Sequence, residues 1–136
     1  MESSEMGDSV IPRKVIVVID DEIRVFRTLR TLVEGHRLPY DVIYSPDIKD
    51  ALGMIAEMGD FANIAMFVVD CCMDGSRIPN TVPIVEALIQ KGYKGKILAN
   101  SGDVDNTLSL LRAGAHEGCD KFNTIERILV ALGLKY

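Results

Sequence analysis

The chain has 136 residues, 48% hydrophobic and 26% charged, which suits one compact domain with its own core. Its 20 acidic residues outnumber the 15 Lys and Arg, for a net charge of −5, so it offers no basic footprint for nucleic acid or an anionic membrane. The adjacent Cys71 and Cys72 and the distant Cys119 read as reduced thiols. No apolar run nears the ~20 residues of a membrane span, and the acidic start MESSEMGDSV is unlike a secretion signal, so a soluble, cytoplasmic protein is expected.

Residues 1–12 are polar and lack periodicity, which predicts a disordered or loosely attached tail before a domain over residues 13–136. The run Val15-Ile16-Val17-Val18-Ile19 predicts a first strand. Behind it, Phe26, Leu29, Leu32 and Val33 recur at helical spacing, with Arg24, Arg27 and Arg30 on other faces. Val42-Ile43-Tyr44 predicts a second strand. Ser45-Pro46-Asp47 then offers a cap, a Pro at the first helical position and an acidic first turn for a helix burying Ile48, Ala51, Leu52 and Ile55. Met66-Phe67-Val68-Val69 predicts the third strand, followed by a helix that Thr81 can cap, carrying Val85, Leu88 and Ile89 and stopping at Gly92. Ile97-Leu98-Ala99 predicts the fourth, with a helix running from Asp103 through Val104, Leu108 and Leu111 to Gly114. A weak fifth strand around His116 to Cys119 is inferred mainly because two helices must be connected. Thr124 can cap the last helix, with Ile125, Ile128, Leu129 and Leu132 facing inward.

Short β-branched runs that do not alternate with polar residues suit strands covered on both faces. Strand alternating with helix predicts an α/β fold, a flavodoxin-like doubly wound five-stranded parallel sheet of order 2-1-3-4-5 with helices on both faces. Ligands in such folds bind beyond the carboxyl ends of the strands. Those positions hold Asp20 and Asp21, Asp70, Ser101 and Lys121. Singly, each Asp has a plain explanation as a helix cap or loop residue. Together they do not: two carboxylates ~5 Å apart repel by roughly 3 kcal/mol at an effective dielectric of ~20, and three require a proton, a cation or a lysine in compensation. A hard divalent cation such as Mg²⁺ suits carboxylate oxygens and also binds phosphate. With Lys121 and Ser101 nearby, the set fits a site that receives a phosphoryl group on a carboxylate.

The segments VIVVIDDE (Val15 to Glu22), FVVDCCMDG (Phe67 to Gly75), ILANSG (Ile97 to Gly102) and LRAGAHEGCDK (Leu111 to Lys121) carry a resemblance to the receiver domains of two-component response regulators, the CheY-like family. The resemblance covers nearly all of the chain after residue 12. It implies that Asp70 is the phosphoacceptor and that Asp20 and Asp21 hold Mg²⁺ together with Asp70 and the backbone carbonyl of Cys72. It further implies that Ser101 is the switch hydroxyl, that Lys121 contacts the phosphoryl group, that Gly102 admits the donor histidine and that Asp103 affects hydrolysis. The partner implied is a sensor histidine kinase or a histidine phosphotransfer protein.

Three positions depart from the family pattern. Met73 is followed by Asp74 rather than Pro. Lys121 precedes Phe122, where the family has a cis proline, so that turn is either trans or strained. Gly118 occupies the place of the aromatic switch residue, so the usual relay from the hydroxyl residue to the aromatic cannot operate. The loop Ser76-Arg77-Ile78-Pro79-Asn80 reads as a flexible lip over the site. The expected function is that of a single-domain response regulator, not an enzyme, which signals through protein–protein contacts. The alternatives are a phosphorylation-independent receiver-like interaction module and a small phosphohydrolase. The latter is disfavoured because Cys72 stands where a general acid or base would be needed.

Overall fold

The β-branched runs occupy the centre of a five-stranded parallel sheet in a computed structural model that describes residues 13–134. In chain order the elements are β1 (Lys14–Ile19), α1 (Arg24–Gly35), β2 (Tyr40–Ser45), α2 (Ile48–Glu57), β3 (Ile64–Asp70), α3 (Val82–Gln90) and β4 (Lys96–Ser101). A 3-10 turn (Val104–Asn106) then runs into α4 (Thr107–Ala113), followed by β5 (Glu117–Asp120) and α5 (Thr124–Ala131). The spatial order is β2-β1-β3-β4-β5, with every pair parallel, which is the doubly wound order expected. The tail expected over residues 1–12 lies outside the described residues. No helix among the described residues is long and apolar enough to cross a membrane.

Strand alternation divides the core into two layers. Val17, Ile19, Phe67, Val69, Ile97 and Ala99 face Ala51 and Ile55 of α2, Ile84, Val85 and Leu88 of α3, and Leu110 of α4. Ile16, Val18, Met66, Val68, Leu98 and Cys119 face Leu29 and Val33 of α1 and Ile128 of α5. Full burial of such side chains stabilises by ~1.5–3 kcal/mol each, so both layers resist a one-residue slip that would exchange them. That fixed register decides which side chains project from the strand ends.

The helix starts differ in detail from the expectation. Ser45 ends β2 and its Oγ donates to Asp50 Oδ2 at 2.5 Å, while Asp47 is the N-cap of α2 and accepts from Asp50 N at 2.7 Å. Pro46 therefore precedes the cap and lies outside the helix. Thr81 stands at the N-cap of α3, but its hydroxyl donates to the Cys71 carbonyl at 3.1 Å, and Pro83 presets the first turn instead. Asp103 caps the 3-10 turn rather than α4. That tighter turn rotates the following residues, so Thr107 and Leu110 are buried while Val104 and Leu108 face solvent. In α3, Ile84, Val85 and Leu88 are buried and Ile89 is exposed. Thr124 is the first residue of α5 and Asn123 its N-cap; buried Thr124 turns its hydroxyl inward.

Candidate functional site

Register brings two aspartates together. Ile19 pairs with Val69, so Asp20 and Asp70 follow as neighbours at the ends of β1 and β3. Each stands two residues beyond a member of the layer under α1 and α5 (Val18 and Val68), so both project toward that side. They are 3% and 2% exposed, whereas Asp21 is exposed. One carboxylate oxygen from each of Asp20, Asp21 and Asp70 lies within 4.8 Å of the others. Backbone N–H groups orient all three: Glu22 donates to Asp20 Oδ1 at 2.9 Å, Cys72 to Asp70 Oδ1 at 3.3 Å and Asp74 to Asp21 Oδ2 at 3.0 Å. Asp74 reaches Asp21 from a left-handed backbone (φ +58), which Asp tolerates better than most residues.

The cation of the site comes from the β5–α5 connection. Lys121 Nζ lies 3.4 Å from Asp70 Oδ2 and 3.3 Å from Glu22 Oε1. All peptide bonds among the described residues are trans, Lys121–Phe122 included. Asp120 holds that turn by accepting from the N–H groups of Phe122 and Asn123 at 3.0 and 3.1 Å. Phe122 itself is 98% exposed.

Burial, and then the charge on Asp20, push Asp70 up to about 7, against the opposing pull of Lys121 and the Cys72 N–H. Burial also raises Asp20. For Lys121, burial works downward, but the carboxylates of Asp70, Asp20 and Glu22 outweigh it and raise the amine. A carboxylate that resists ionisation in this way is relieved by a proton or by a bound cation. Carboxylate oxygens this close are a hard donor set, which fits Mg²⁺ or Ca²⁺.

The other residues singled out in the sequence fall around this centre. Ser101 is buried at the end of β4, one residue beyond Asp70's register partner Asn100; its Oγ accepts from Asp103 N at 3.2 Å and bonds neither Asp70 nor the Lys121 amine, while its carbonyl accepts from Lys121 N at 3.1 Å. Cys72 is half-buried on the loop after β3. Cys71 and Cys119 are buried, and burial pushes their thiols up to about 12 and about 11, which leaves them inert as nucleophiles. The lip after β3 is anchored rather than loose, because Asn80 accepts from Met73 N at 2.8 Å and donates to Met73 O at 2.9 Å. At Gly118, a Cβ would sit 2.4 Å from Thr107 Oγ1, so the side chain of α4 fills the space beside the strand.

Sequence reasoning passed over Glu22, Asn80, Asn100 and Thr107. Glu22 had a visible signal, as a third consecutive acid after Asp20 and Asp21. So did Asn100, a lone amide closing an apolar run. The roles of Asn80 and Thr107 depend on loop and helix packing that no local pattern records.

No protein-family model matches the sequence, and no curated protein matches it. Solved structures do. The chain is similar to the receiver domain of a Francisella response regulator (18% identity, 89% of this chain and 94% of that one, TM-score 0.68). It is similar to a response regulator receiver domain from Clostridium thermocellum (20% identity, 88% and 91%, TM-score 0.68). A third is a Burkholderia pseudomallei response regulator with a phosphorylated aspartic acid and a calcium ion (22% identity, 88% of this chain and 66% of that one, TM-score 0.68). The chain therefore has the CheY-like receiver fold of response regulators.

Proposed function

We propose that this chain is a response regulator receiver that takes a phosphoryl group on Asp70 from a phosphohistidine and signals by protein–protein contact. The observation that carries the proposal is the convergence of Asp20, Asp21 and Asp70 within 4.8 Å, with Lys121 Nζ 3.4 Å from Asp70 Oδ2. The Burkholderia pseudomallei structure, with phosphorylated aspartic acid and calcium in the same fold, supports it.

Asp20, Asp21, Asp70 and the carbonyl of Cys72 would hold Mg²⁺, which neutralises charge on the incoming phosphoryl group. Asp70 attacks phosphorus through a carboxylate oxygen. The O–P bond forms as the N–P bond to the donor histidine breaks, and the electron pair stays on the imidazole. Lys121 pairs with the new phosphoryl oxygens, and the Ser101 hydroxyl donates to one of them. Added charge and acceptor oxygens at Asp70 bias the neighbouring loops, with coupling of ~1–3 kcal/mol typical of such switches. The donor is a sensor histidine kinase or a histidine phosphotransfer protein, and the role is signalling rather than turnover of a substrate.

One observation favours a second reading. Thr107 fills the space beside Gly118, so no aromatic side chain can swing there, and a receiver-like module that binds its partner without phosphorylation would need no such relay. Transfer of radiolabel from acetyl phosphate with Mg²⁺ tests the two. Labelling of the wild type that disappears in Asp70→Asn supports the phosphoacceptor; no labelling of the wild type supports the constitutive module.

A further inference from the structure

Asn100 is fully buried at the end of β4, with Asp70 as its register partner on one side and Cys119 on the other. It stands two residues beyond Leu98, in the layer under α1 and α5, so its side chain projects from the same face of the sheet as that of Asp70. Its Oδ1 accepts from Thr124 Oγ1 at 2.7 Å and lies 3.6 Å from Cys119 Sγ. Its Nδ2 is the one buried side-chain polar atom without a partner among the described residues. Native proteins pair nearly all such groups, so an exception calls for a reason.

The amide oxygen is engaged by Thr124 of α5 and lies near Cys119 of β5, while Asp70 is the register partner of Asn100 on the other side, in β3. The Thr124 hydroxyl also lies 3.3 Å from Asp120 O and 3.4 Å from Lys121 O. Its one proton goes to the nearest acceptor, Asn100 Oδ1, so the hydroxyl ties Asn100 to the first residue of α5.

We propose that Asn100 is a positioning residue that couples occupancy of the Asp70 site to α5 through Thr124. The proposal rests on the phosphoacceptor reading above. Phosphoryl oxygens at Asp70 would provide an acceptor on the side of the amide that has none. As Nδ2 turns to it, Oδ1 shifts relative to Thr124, and the start of α5 moves with it. This route bypasses Gly118, where Thr107 closes the position of the usual aromatic.

The test is amide NMR of the full chain titrated with Mg²⁺ and beryllofluoride, a phosphoryl mimic, in the wild type, Asn100→Ala, Thr124→Val and Thr124→Ser. The proposal expects wild-type shifts both at the strand ends and through α5. It expects Asn100→Ala and Thr124→Val to keep the strand-end shifts while losing at least half of the α5 response, and Thr124→Ser, which retains the hydroxyl, to restore it. An α5 response unchanged in Thr124→Val, or absent from the wild type despite strand-end shifts, overturns this proposal alone. Absence of strand-end shifts from the wild type overturns the phosphoacceptor reading, and the coupling with it. Should Asn100→Ala fail to fold, the two Thr124 variants decide the matter.

Discussion

Asp20 and Asp70 project side by side from neighbouring parallel strands, 3% and 2% exposed, with carboxylate oxygens inside a 4.8 Å cluster that also includes Asp21. Folding has forced two like charges into a dry corner. Asp70 consequently holds its proton to about 7 in the native state, against an ordinary value of 3.8. Between those two pH values the native chain binds a proton that the unfolded chain has released. This contribution to stability is fully present below the lower value and is lost as pH rises through the upper one. Urea unfolding should show stability falling by a few kcal/mol between pH 4 and pH 7 in the absence of divalent cations. Asp70→Asn should flatten that decline and be the more stable protein at pH 8.

Lys121 divides its amine between Asp70 and Glu22. Lys121→Ala removes the only cation at that distance from Asp70 among the described residues and should slow labelling by acetyl phosphate by a factor of ten or more. Glu22→Gln keeps the Asp70 contact and should leave labelling within about threefold of wild type. Equal losses in both variants would point to a damaged fold rather than a lost charge, which circular dichroism would reveal.

Gly118 and Thr107 form a tight contact between β5 and α4. Gly118→Ala places a methyl 2.4 Å from Thr107 Oγ1 and should destabilise by ~1–3 kcal/mol. Thr107→Ala should relieve much of that in the double variant, giving a coupling energy well above the ~0.5 kcal/mol of independent sites. Denaturant midpoints of the four proteins in the cycle measure it.

Asn80 ties the loop after β3 through three hydrogen bonds, from Met73 N, to Met73 O and from its own N–H to Cys71 O. Asn80→Ala removes the two made by its side chain and should cost ~1–3 kcal/mol in stability. Because the same loop carries Cys72, the variant should also bind Mg²⁺ more weakly, as titration at pH 8 would record.

The sheet and its order were legible because Val15 to Ile19 and Met66 to Val69 are short, β-branched and apolar without interruption, a pattern that suits a strand covered on both faces. The acidic site followed from the residue after each run. Helix starts were less legible. Ser45, Thr81 and Thr124 all look like caps, yet each hydroxyl is spent on a tertiary partner: Asp50, the Cys71 carbonyl and Asn100. The start of α4 lies later than Asp103 because a 3-10 turn comes first, and no residue pattern distinguishes that from a helix starting at Asp103. The lip after β3 looked mobile from its Ser, Pro and Asn content, while its anchor is a contact seven residues apart, between Asn80 and Met73.

The central claim is that Asp20, Asp21 and Asp70 form one cation site that primes Asp70 to accept a phosphoryl group. Calorimetric titration with MgCl₂ at pH 8 tests it most directly. The account predicts one saturable site in the wild type, at least tenfold weaker in Asp20→Asn and in Asp70→Asn, with binding that weakens below pH 7 as Asp70 takes up its proton. Saturable binding that survives both substitutions unchanged, or no binding to the wild type, would contradict it.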